Sequence, residues 1–401
     1  MSQPAGFKRL TRLDAAHDRL LERVALVERT TTTRLDAADG RVLADPIDAA
    51  RDVPHYTRAA MDGFAVRATE TFGASERSPA PLRIADEPSP DAAVRVHTGS
   101  PLPDGADAVV MVEHTEQVGD EIEVTAAVAE GENVAPAGED VAAGQHLYDA
   151  GHRLRPADLG LLKSVGLREV TVYERPTVGV IPTGEELVQA DPGPGEVVET
   201  NGLTVSRYVE RWGGRATYRD VVTDDHAALR AAIERDTTAD LVVTAGGSSV
   251  GERDLLPAVV EDAGELLVHG VGLKPGHPVG FGVVNDTPVL LLPGYPVSCI
   301  VGAVQLLRPA LKRAGRLPPD PLPTTTARLD RKVRSDVGTR TFVRVRLDET
   351  EGERTAVPTR ASGAGALSSV AFADGWVVVP EEREGIPADE SVAVEHWGRL
   401  P

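Results

Sequence analysis

Three turns rich in glycine and proline, between residues 239 and 298, carry the residue types with the clearest chemistry. Each follows an apolar, strand-like segment, and they read ADLVVTAGGSSVGERD, GVGLKPGHPVGFG and TPVLLLPGYPVS. Glycine lets the backbone approach a ligand closely, and the amides of a following helix suit a phosphate or another oxyanion. A tight strand–helix connection explains any single turn equally well. Three together predict one anion pocket, because ligands of open α/β sheets bind where the carboxyl ends of strands converge.

Lys274 strengthens the prediction of an anion pocket. Of the 42 Lys and Arg residues only five are Lys, and this one lies inside the second turn. A surface lysine is the alternative, but Pro275 restricts the backbone beside it and Gly276 permits the tight turn that would fix its place. The residues predicted to contact the anion or cofactor are Gly246, Gly247, Ser248, Ser249, Lys274, Gly276, His277, Pro293, Gly294 and Pro296.

Several carboxylates could bind a hard divalent cation, which prefers oxygen ligands and joins a few carboxylates to substrate phosphates. Asp62 lies in the turn of MDGFAV, and Glu185 follows the strand-like VGVIPTG. Asp62 could equally form only a turn, and Glu185 could place negative charge in the first turn of a helix. Asp225 and Asp254 lie near predicted helix starts, and from the residues alone helix capping is the favoured role of Asp225.

Polar groups elsewhere could complete the site. Thr98, in VHTGSPLPDGAD, offers a hydroxyl to an oxyanion or merely closes a turn. Arg344 lies in the strand-like TRTFVRVRL, where a solvated strand face is the alternative. No Ser–His–Asp or Cys–His arrangement is legible, and Cys299 is expected to be a small core residue. These residues predict electrostatic rather than nucleophilic chemistry.

Composition limits the classes of function. The 401 residues have a net charge of −20, which disfavours binding to nucleic acid and to anionic membranes. No apolar stretch reaches the length of a membrane span and the first residues lack the apolar core of a signal peptide, so a cytoplasmic protein is predicted. Acidity with arginine in place of lysine favours a halophilic source, because charges are screened within about 3 Å at 1 M salt.

Changes of pattern along the chain predict a multi-domain α/β plus β protein. Residues 176–316 alternate strand-like and helical segments, which is typical of a parallel α/β sheet. The Pro-rich GRLPPDPLPTTT then marks a boundary, followed by short strands typical of a small β-barrel or sandwich. The predicted domains are a helical domain of residues 1–41 and 146–175, an inserted β-rich domain of 42–145, the α/β domain of 176–316 and a C-terminal β domain of 317–401.

Seven segments, MDGFAV, HTGSPLPDGADAVV, GED, IPTGEEL, TAGGSSVGERD, KPGHP and PGYPVS, occur in an order and at intervals that resemble the molybdopterin molybdenumtransferase family. The resemblance implies a transferase of molybdenum cofactor biosynthesis. Such an enzyme takes adenylylated molybdopterin, places molybdenum from molybdate on its dithiolene sulfurs and releases AMP. The resemblance also implies Mg²⁺, a homodimer, contact with the molybdopterin adenylyltransferase, and an α/β domain that binds molybdopterin.

The resemblance favours a role in the site for the carboxylates whose function the residues alone left open. It implies a catalytic set of Asp62, Thr98, Glu185, Asp225 and Asp254, with Asp62, Glu185 and Asp225 as metal ligands and Arg344 facing an oxyanion. Because these residues come from different predicted domains, a site between domains or between two subunits is expected.

Three positions depart from the common pattern of this family. His277 stands where many members have lysine, Tyr295 where many have asparagine, and Ala364 where a serine is expected. They leave open a variant that inserts tungstate. A non-catalytic carrier or scaffold for the pterin is the alternative from another class, while the MDGFAV and HTGSP elements disfavour an isolated adenylyltransferase or pyrophosphatase domain.

Overall fold

A computed structural model describes residues 10–246, 255–359 and 363–398. Residue contacts divide the chain into two compact units, one of residues 1–31 and 173–401 and the other of residues 32–172. Four predicted site residues lie outside the described residues: Gly247, Ser248, Ser249 and Asp254. Across the described ranges, no helix is both long and apolar enough to cross a bilayer.

The unit of residues 32–172 is built around a six-stranded sheet. Gly63 begins one central strand, and only glycine fits there, because a Cβ atom would lie 1.9 Å from the carbonyl oxygen of Val110 on the neighbouring strand. Phe64, Ile122 and Val124 belong to its buried core. In spatial order the strands are Ala108–Met111, Gly63–Val66, Ala92–Val96, Ala80–Ile84, Glu121–Val124 and Thr115–Val118.

Short elements complete this part of the chain. Helix Pro156–Ser164 begins beside the buried carboxylate of Asp158, which accepts hydrogen bonds from the Arg155 amide at 2.9 Å and from His152 at 2.9 Å. Burial alone raises the pKa of Asp158, but hydrogen bonds from the Arg155 guanidinium, followed by those from His152 and the Arg155 amide, hold it well below its ordinary value. The remaining elements are the strands Thr30–Arg34, Ile47–Asp48, Arg58–Ala59, Val134–Ala135, His146–Tyr148 and Glu169–Tyr173 and the 3₁₀ turns Leu35–Ala37, Ala68–Thr71 and Val112–His114.

The other unit contains a six-stranded α/β sheet. Its order is Arg215–Tyr218, Thr177–Pro182, Leu241–Ala245, Thr287–Leu292, Gly280–Val284 and Glu265–His269. The first four strands are parallel, as the sequence predicts, but Gly280–Val284 is antiparallel to both neighbours. The reason is local. Asn285 and Asp286 both have positive φ and form a two-residue hairpin turn, so the sheet is mixed rather than wholly parallel.

Both faces of this sheet are covered, which explains its continuous apolar strands. Along Leu241–Ala245 the side chains alternate between two hydrophobic cores, one on each face of the sheet. Val243 belongs to one of these cores and Val242 to the other. The helices of the unit are Leu13–Leu21, Asn201–Arg211, His226–Asp236, Leu256–Ala263, Ser368–Ala371, and Pro296–Gly302 continued by the π-helical Ala303–Leu307 into Arg308–Ala314.

The C-terminal strands close into a barrel, which decides between the two predicted alternatives. The five strands follow the order Arg340–Thr350, Glu353–Pro358, Thr324–Leu329, Ser391–Glu395 and Gly375–Val379, and the last pairs with the first. A short strand, Leu273–Lys274, adds to Arg340–Thr341 in parallel. The remaining short pairs are Leu187–Val188 with Val197–Val198 and Val333–Arg334 with Gly385–Ile386.

Candidate functional site

Two of the three predicted turns meet where the parallel strands end. Gly246 follows Leu241–Ala245 with φ +133°, and a Cβ there would lie 1.9 Å from the carbonyl oxygen of Thr183, which follows the adjacent strand. Gly294 is close by, because a Cβ on it would lie 3.5 Å from the Cα of Gly246. Asn201, which the sequence analysis missed, donates its side-chain amide to the Gly294 carbonyl at 2.7 Å.

The second turn reaches the same edge through antiparallel pairing. His269 pairs with Gly280, and Gly280 pairs with Leu291 near the carboxyl end of its strand, so residues 270–279 leave the sheet there. Gly276 has φ +120°, and a Cβ on it would lie 3.2 Å from the Ser298 carbonyl oxygen. The described residues of the three turns therefore lie at one edge of the sheet, whereas a single anion pocket shared by all three stays a prediction.

A cavity of about 500 Å³ lies beside the second and third turns and the barrel. Its walls include the predicted residues Lys274, Gly276, His277, Pro293 and Arg344. Pro296 instead begins helix Pro296–Gly302. The other lining residues are Pro275, Pro278, Tyr295, Ser298, Thr341, Phe342, Val343, Thr359, Gly363 and Ala364. All three departures from the family pattern, at positions 277, 295 and 364, thus border one cavity.

Three basic side chains give this cavity its chemistry. Lys274 lies 2.8 Å from the carboxylate of Asp336, a residue that the sequence analysis missed. Burial, followed by the charge of Lys274, lowers the pKa of His277, and burial lowers the pKa of Arg344. Arginine nevertheless remains charged at physiological pH. A partly desolvated guanidinium interacts more strongly with an anion than an exposed one does, because the local dielectric is lower.

The predicted carboxylates of this unit do not all behave alike. Asp225 accepts a hydrogen bond from the Ala228 amide at 2.8 Å and caps helix His226–Asp236, which is its structural alternative. Asp224 lies beside Glu185 and Glu186, and burial followed by their charges raises its pKa. No group of three carboxylate, imidazole or thiol side chains suited to hold a metal occurs among the described residues. The structure thus places Asp224 beside Glu185, whereas Asp225 caps a helix. The sequence spacing alone gave no means to separate the roles of these two aspartates.

The unit of residues 32–172 brings Asp62 and Thr98 together. Asp62 Oδ1 accepts hydrogen bonds from the Thr98 amide at 2.6 Å and from the Thr98 hydroxyl at 3.0 Å. The backbone bond and then the hydroxyl bond hold the pKa of Asp62 below its ordinary value. Its side chain is 62% exposed, so the oriented carboxylate stays open to a ligand.

Removing the Thr98 hydroxyl should raise the pKa of Asp62. A hydrogen bond to the charged form favours that form, so Thr98→Val removes one of two such bonds while the backbone bond remains. If Asp62 acts as a carboxylate, activity should then be lost at a higher pH on acidification than in the wild type. We would measure the Asp62 titration by NMR and the acid limb of the pH–rate profile. Thr125→Val, which removes a hydroxyl bonded to a backbone carbonyl, is the control. An unmoved Asp62 titration would contradict the prediction.

Family models match most of the chain. The MoeA N-terminal region (domain I and II) matches residues 11–166, a probable molybdopterin binding domain matches residues 179–313, and the MoeA C-terminal region (domain IV) matches residues 326–397.

Individual proteins are similar over nearly their full length. A molybdopterin molybdenumtransferase 2 of Mycobacterium tuberculosis is 34% identical over 94% of this chain and 98% of its own length. The molybdopterin molybdenumtransferase of Haemophilus influenzae is 31% identical over 97% and 99%. A crystal structure of the molybdopterin biosynthesis MoeA protein of Pyrococcus horikoshii superimposes with a TM-score of 0.84 at 33% identity, covering 98% of this chain and 100% of that one.

Proposed function

We propose, since the chain belongs to the MoeA family of molybdopterin molybdenumtransferases, that it inserts molybdenum from molybdate into adenylylated molybdopterin and releases AMP. The observation that carries the proposal is the cavity of about 500 Å³ on which Lys274, His277 and Arg344 converge. A cavity of this size suits a small organic ligand, and its basic groups suit an oxyanion.

Lys274 and Arg344 are proposed to bind and orient the oxyanion. Arg344 presents a planar array of donors, and its burial lowers the local dielectric, which strengthens its interaction with an anion. Lys274 would exchange the Asp336 carboxylate for an oxygen of the substrate. Positioned charges of this kind stabilise the negative charge that develops when a phosphate linkage breaks. The attacking and leaving groups belong to the substrates, since the dithiolene sulfurs are part of molybdopterin.

Asp62 and Thr98 are proposed to act on the substrate as a unit. The two hydrogen bonds from Thr98 fix the direction of one Asp62 oxygen and keep the group ionised. An oriented, exposed carboxylate suits a metal ion or a proton of the reacting group. Asp254, outside the described residues, stays a predicted member of the same set.

The carboxylates also fit the Mg²⁺ that the family resemblance implies. Burial, followed by the negative charges of Glu186 and Glu185, raises the pKa of Asp224, and a bound cation would offset these charges. Mg²⁺ needs only one or two protein carboxylates when substrate phosphates supply other ligands. We propose Glu185 to hold it, while Asp62 and Asp225 stay ligands predicted from the sequence alone. When bound, the ion would neutralise phosphate oxygens of the substrate.

Several finer predictions accompany the proposed activity. A homodimer, contact with the molybdopterin adenylyltransferase, a cytoplasmic location and a halophilic source remain predictions from the sequence. The net charge of −20 supports a high-salt environment, because salt screens repulsion between surface carboxylates. The four-domain division also remains a prediction.

The decisive experiment measures release of AMP from adenylylated molybdopterin by the purified protein with Mg²⁺. Molybdate, tungstate or no oxyanion is added, over a range of salt concentrations. We expect molybdate-dependent release that falls at least about 100-fold in Asp62→Asn, because a charged group at the reacting centre is lost. Asp104→Asn, which removes an exposed carboxylate in the same unit, should retain wild-type release.

Each other outcome points to a different function. Stronger release with tungstate would identify the tungstate-inserting variant. Tight pterin binding with no AMP release at any salt concentration would overturn the transferase proposal and leave a carrier. Equal loss in Asp62→Asn and Asp104→Asn would contradict the role of Asp62.

A further inference from the structure

We propose that Tyr295 is a stacking platform that binds the flat ring of the ligand whose anionic part contacts the basic end of the cavity. Tyr295 lines the cavity of about 500 Å³ together with Lys274 and Arg344. It is 65% exposed, so much of its ring surface is accessible to a ligand. The inference rests on the proposed function only for the identity of the ring, which would be the pterin.

Hydrogen bonds hold the backbone around Tyr295 in position. The Tyr295 carbonyl oxygen accepts a hydrogen bond from the Cys299 amide at 2.9 Å. Two residues after Tyr295, the Val297 amide donates a hydrogen bond to the Ala364 carbonyl oxygen at 3.0 Å. On the other side, Gly294 is tied to Asn201 by a 2.7 Å bond. Three separate elements therefore fix the backbone at residue 295 before a ligand binds.

Gly365 lies beside one part of the tyrosine ring. A Cβ built on Gly365 would lie 3.4 Å from Cδ1 and 3.7 Å from Cε1 of Tyr295, which are ordinary van der Waals distances, so residue 365 is a neighbour of this part of the ring. Because Tyr295 is 65% exposed, most of its aromatic surface remains available to a ligand.

The chemistry of the cavity selects a ligand with two different parts. Lys274 and Arg344 suit an oxyanion, whereas an aromatic face suits a conjugated ring. Pro275, Pro278 and Phe342 add apolar surface to the wall of the cavity. A flat heteroaromatic compound that carries an anionic group satisfies both ends, and a bare oxyanion satisfies only one.

The test compares a flat anion with an anion that has no ring. We would titrate wild type, Tyr295→Phe and Tyr295→Leu with pterin-6-carboxylate by fluorescence, and with molybdate by equilibrium dialysis. The Leu variant should bind the pterin about tenfold more weakly, the typical loss for one stacking contact, whereas the Phe variant should keep most of the affinity. Molybdate affinity should stay within about twofold in both. Phe372→Leu, at a 74% exposed aromatic residue that does not line this cavity, is the matched control.

Salt separates stacking from charge. Between 0.1 M and 1 M salt, the ratio of wild-type to Tyr295→Leu affinity for the pterin should persist, because stacking is not screened. The corresponding ratio for Lys274→Ala should shrink, because an exposed ion pair is screened. Loss of the Tyr295 ratio at high salt would contradict a stacking contact.

Two results would overturn the inference. One is unchanged pterin affinity in Tyr295→Leu, and the other is an equal loss of molybdate affinity, which would mean that Tyr295 only shapes the anion site. The AMP-release assay keeps this test apart from the proposed function. Tyr295-dependent pterin binding without AMP release would support the platform while the transferase proposal fails. AMP release together with pterin binding that does not depend on Tyr295 would support the transferase proposal and contradict the stacking platform.

Discussion

Replacement of Arg344 by methionine is expected to lower kcat/KM for molybdate-dependent AMP release about 10²- to 10³-fold, the typical effect of losing one positioned donor. Arg344 lines the cavity, and burial lowers its pKa, so its charge is less shielded by water than that of a surface arginine. Methionine keeps most of the side-chain volume. The loss should therefore report the missing charge and donors rather than a void.

Arg346→Met is a matched control on the same strand. Arg346 lies two residues further along, is 61% exposed and pairs with Asp348 at 3.5 Å. Exposed ion pairs contribute little, so activity should change by less than about twofold. The measurement is steady-state AMP release at several molybdate concentrations, with thermal unfolding of both variants as a check on folding. Similar activity in both variants would refute the assignment of Arg344.

Replacement of Gly246 by alanine is expected to destabilise its unit by about 3 kcal/mol and to abolish molybdate-dependent AMP release. The new Cβ would lie 1.9 Å from the Thr183 carbonyl oxygen, and φ is +133°. A backbone atom cannot rotate away as a side chain can, so the two strand ends must separate. That separation would displace Gly294, which lies against Gly246, and with it the third turn.

Gly352→Ala separates close packing from backbone conformation. Gly352 has φ +83°, yet no described atom lies within 4 Å of the Cβ it would gain. Alanine there should cost only about 1 kcal/mol, the strain of a left-handed residue. Urea unfolding followed by circular dichroism, together with AMP release, checks both variants. An equal loss of unfolding free energy in both variants would contradict the prediction that the clash with the Thr183 carbonyl oxygen adds to the cost of Gly246→Ala.

Local sequence signals predicted the turns but not their full surroundings. The glycine and prolines around Lys274 predict a turn, since the backbone preferences of these residues belong to the residue type itself. Lys274 attracts notice because lysine is rare in this chain. The partner of Lys274 could not be predicted, because Asp336 is 62 residues away and meets it only through the pairing of Leu273–Lys274 with Arg340–Thr341. Asn201 was missed for the same reason.

The carboxylates show where spacing reaches its limit. Asp224 and Asp225 are adjacent and chemically identical, so only the backbone direction decides that Asp225 caps helix His226–Asp236 while Asp224 lies beside Glu185. Similarly, the sequence predicts Asp62 and Thr98 as separate turn residues, and pairing of the strands Gly63–Val66 and Ala92–Val96 brings them within hydrogen-bonding distance.

By itself, the sequence determined the family, the α/β and β classes of the domains, and five of the residues that line the cavity, namely Lys274, Gly276, His277, Pro293 and Arg344. These properties depend on residue type and short-range order, which a linear pattern records. Only the tertiary structure decided that Gly280–Val284 runs antiparallel, that the C-terminal strands close into a barrel, and that Lys274, Tyr295 and Arg344 share one cavity. The physical reason is that strand pairing and side-chain convergence join residues distant in the chain, and their separation in space depends on the packing of the whole unit.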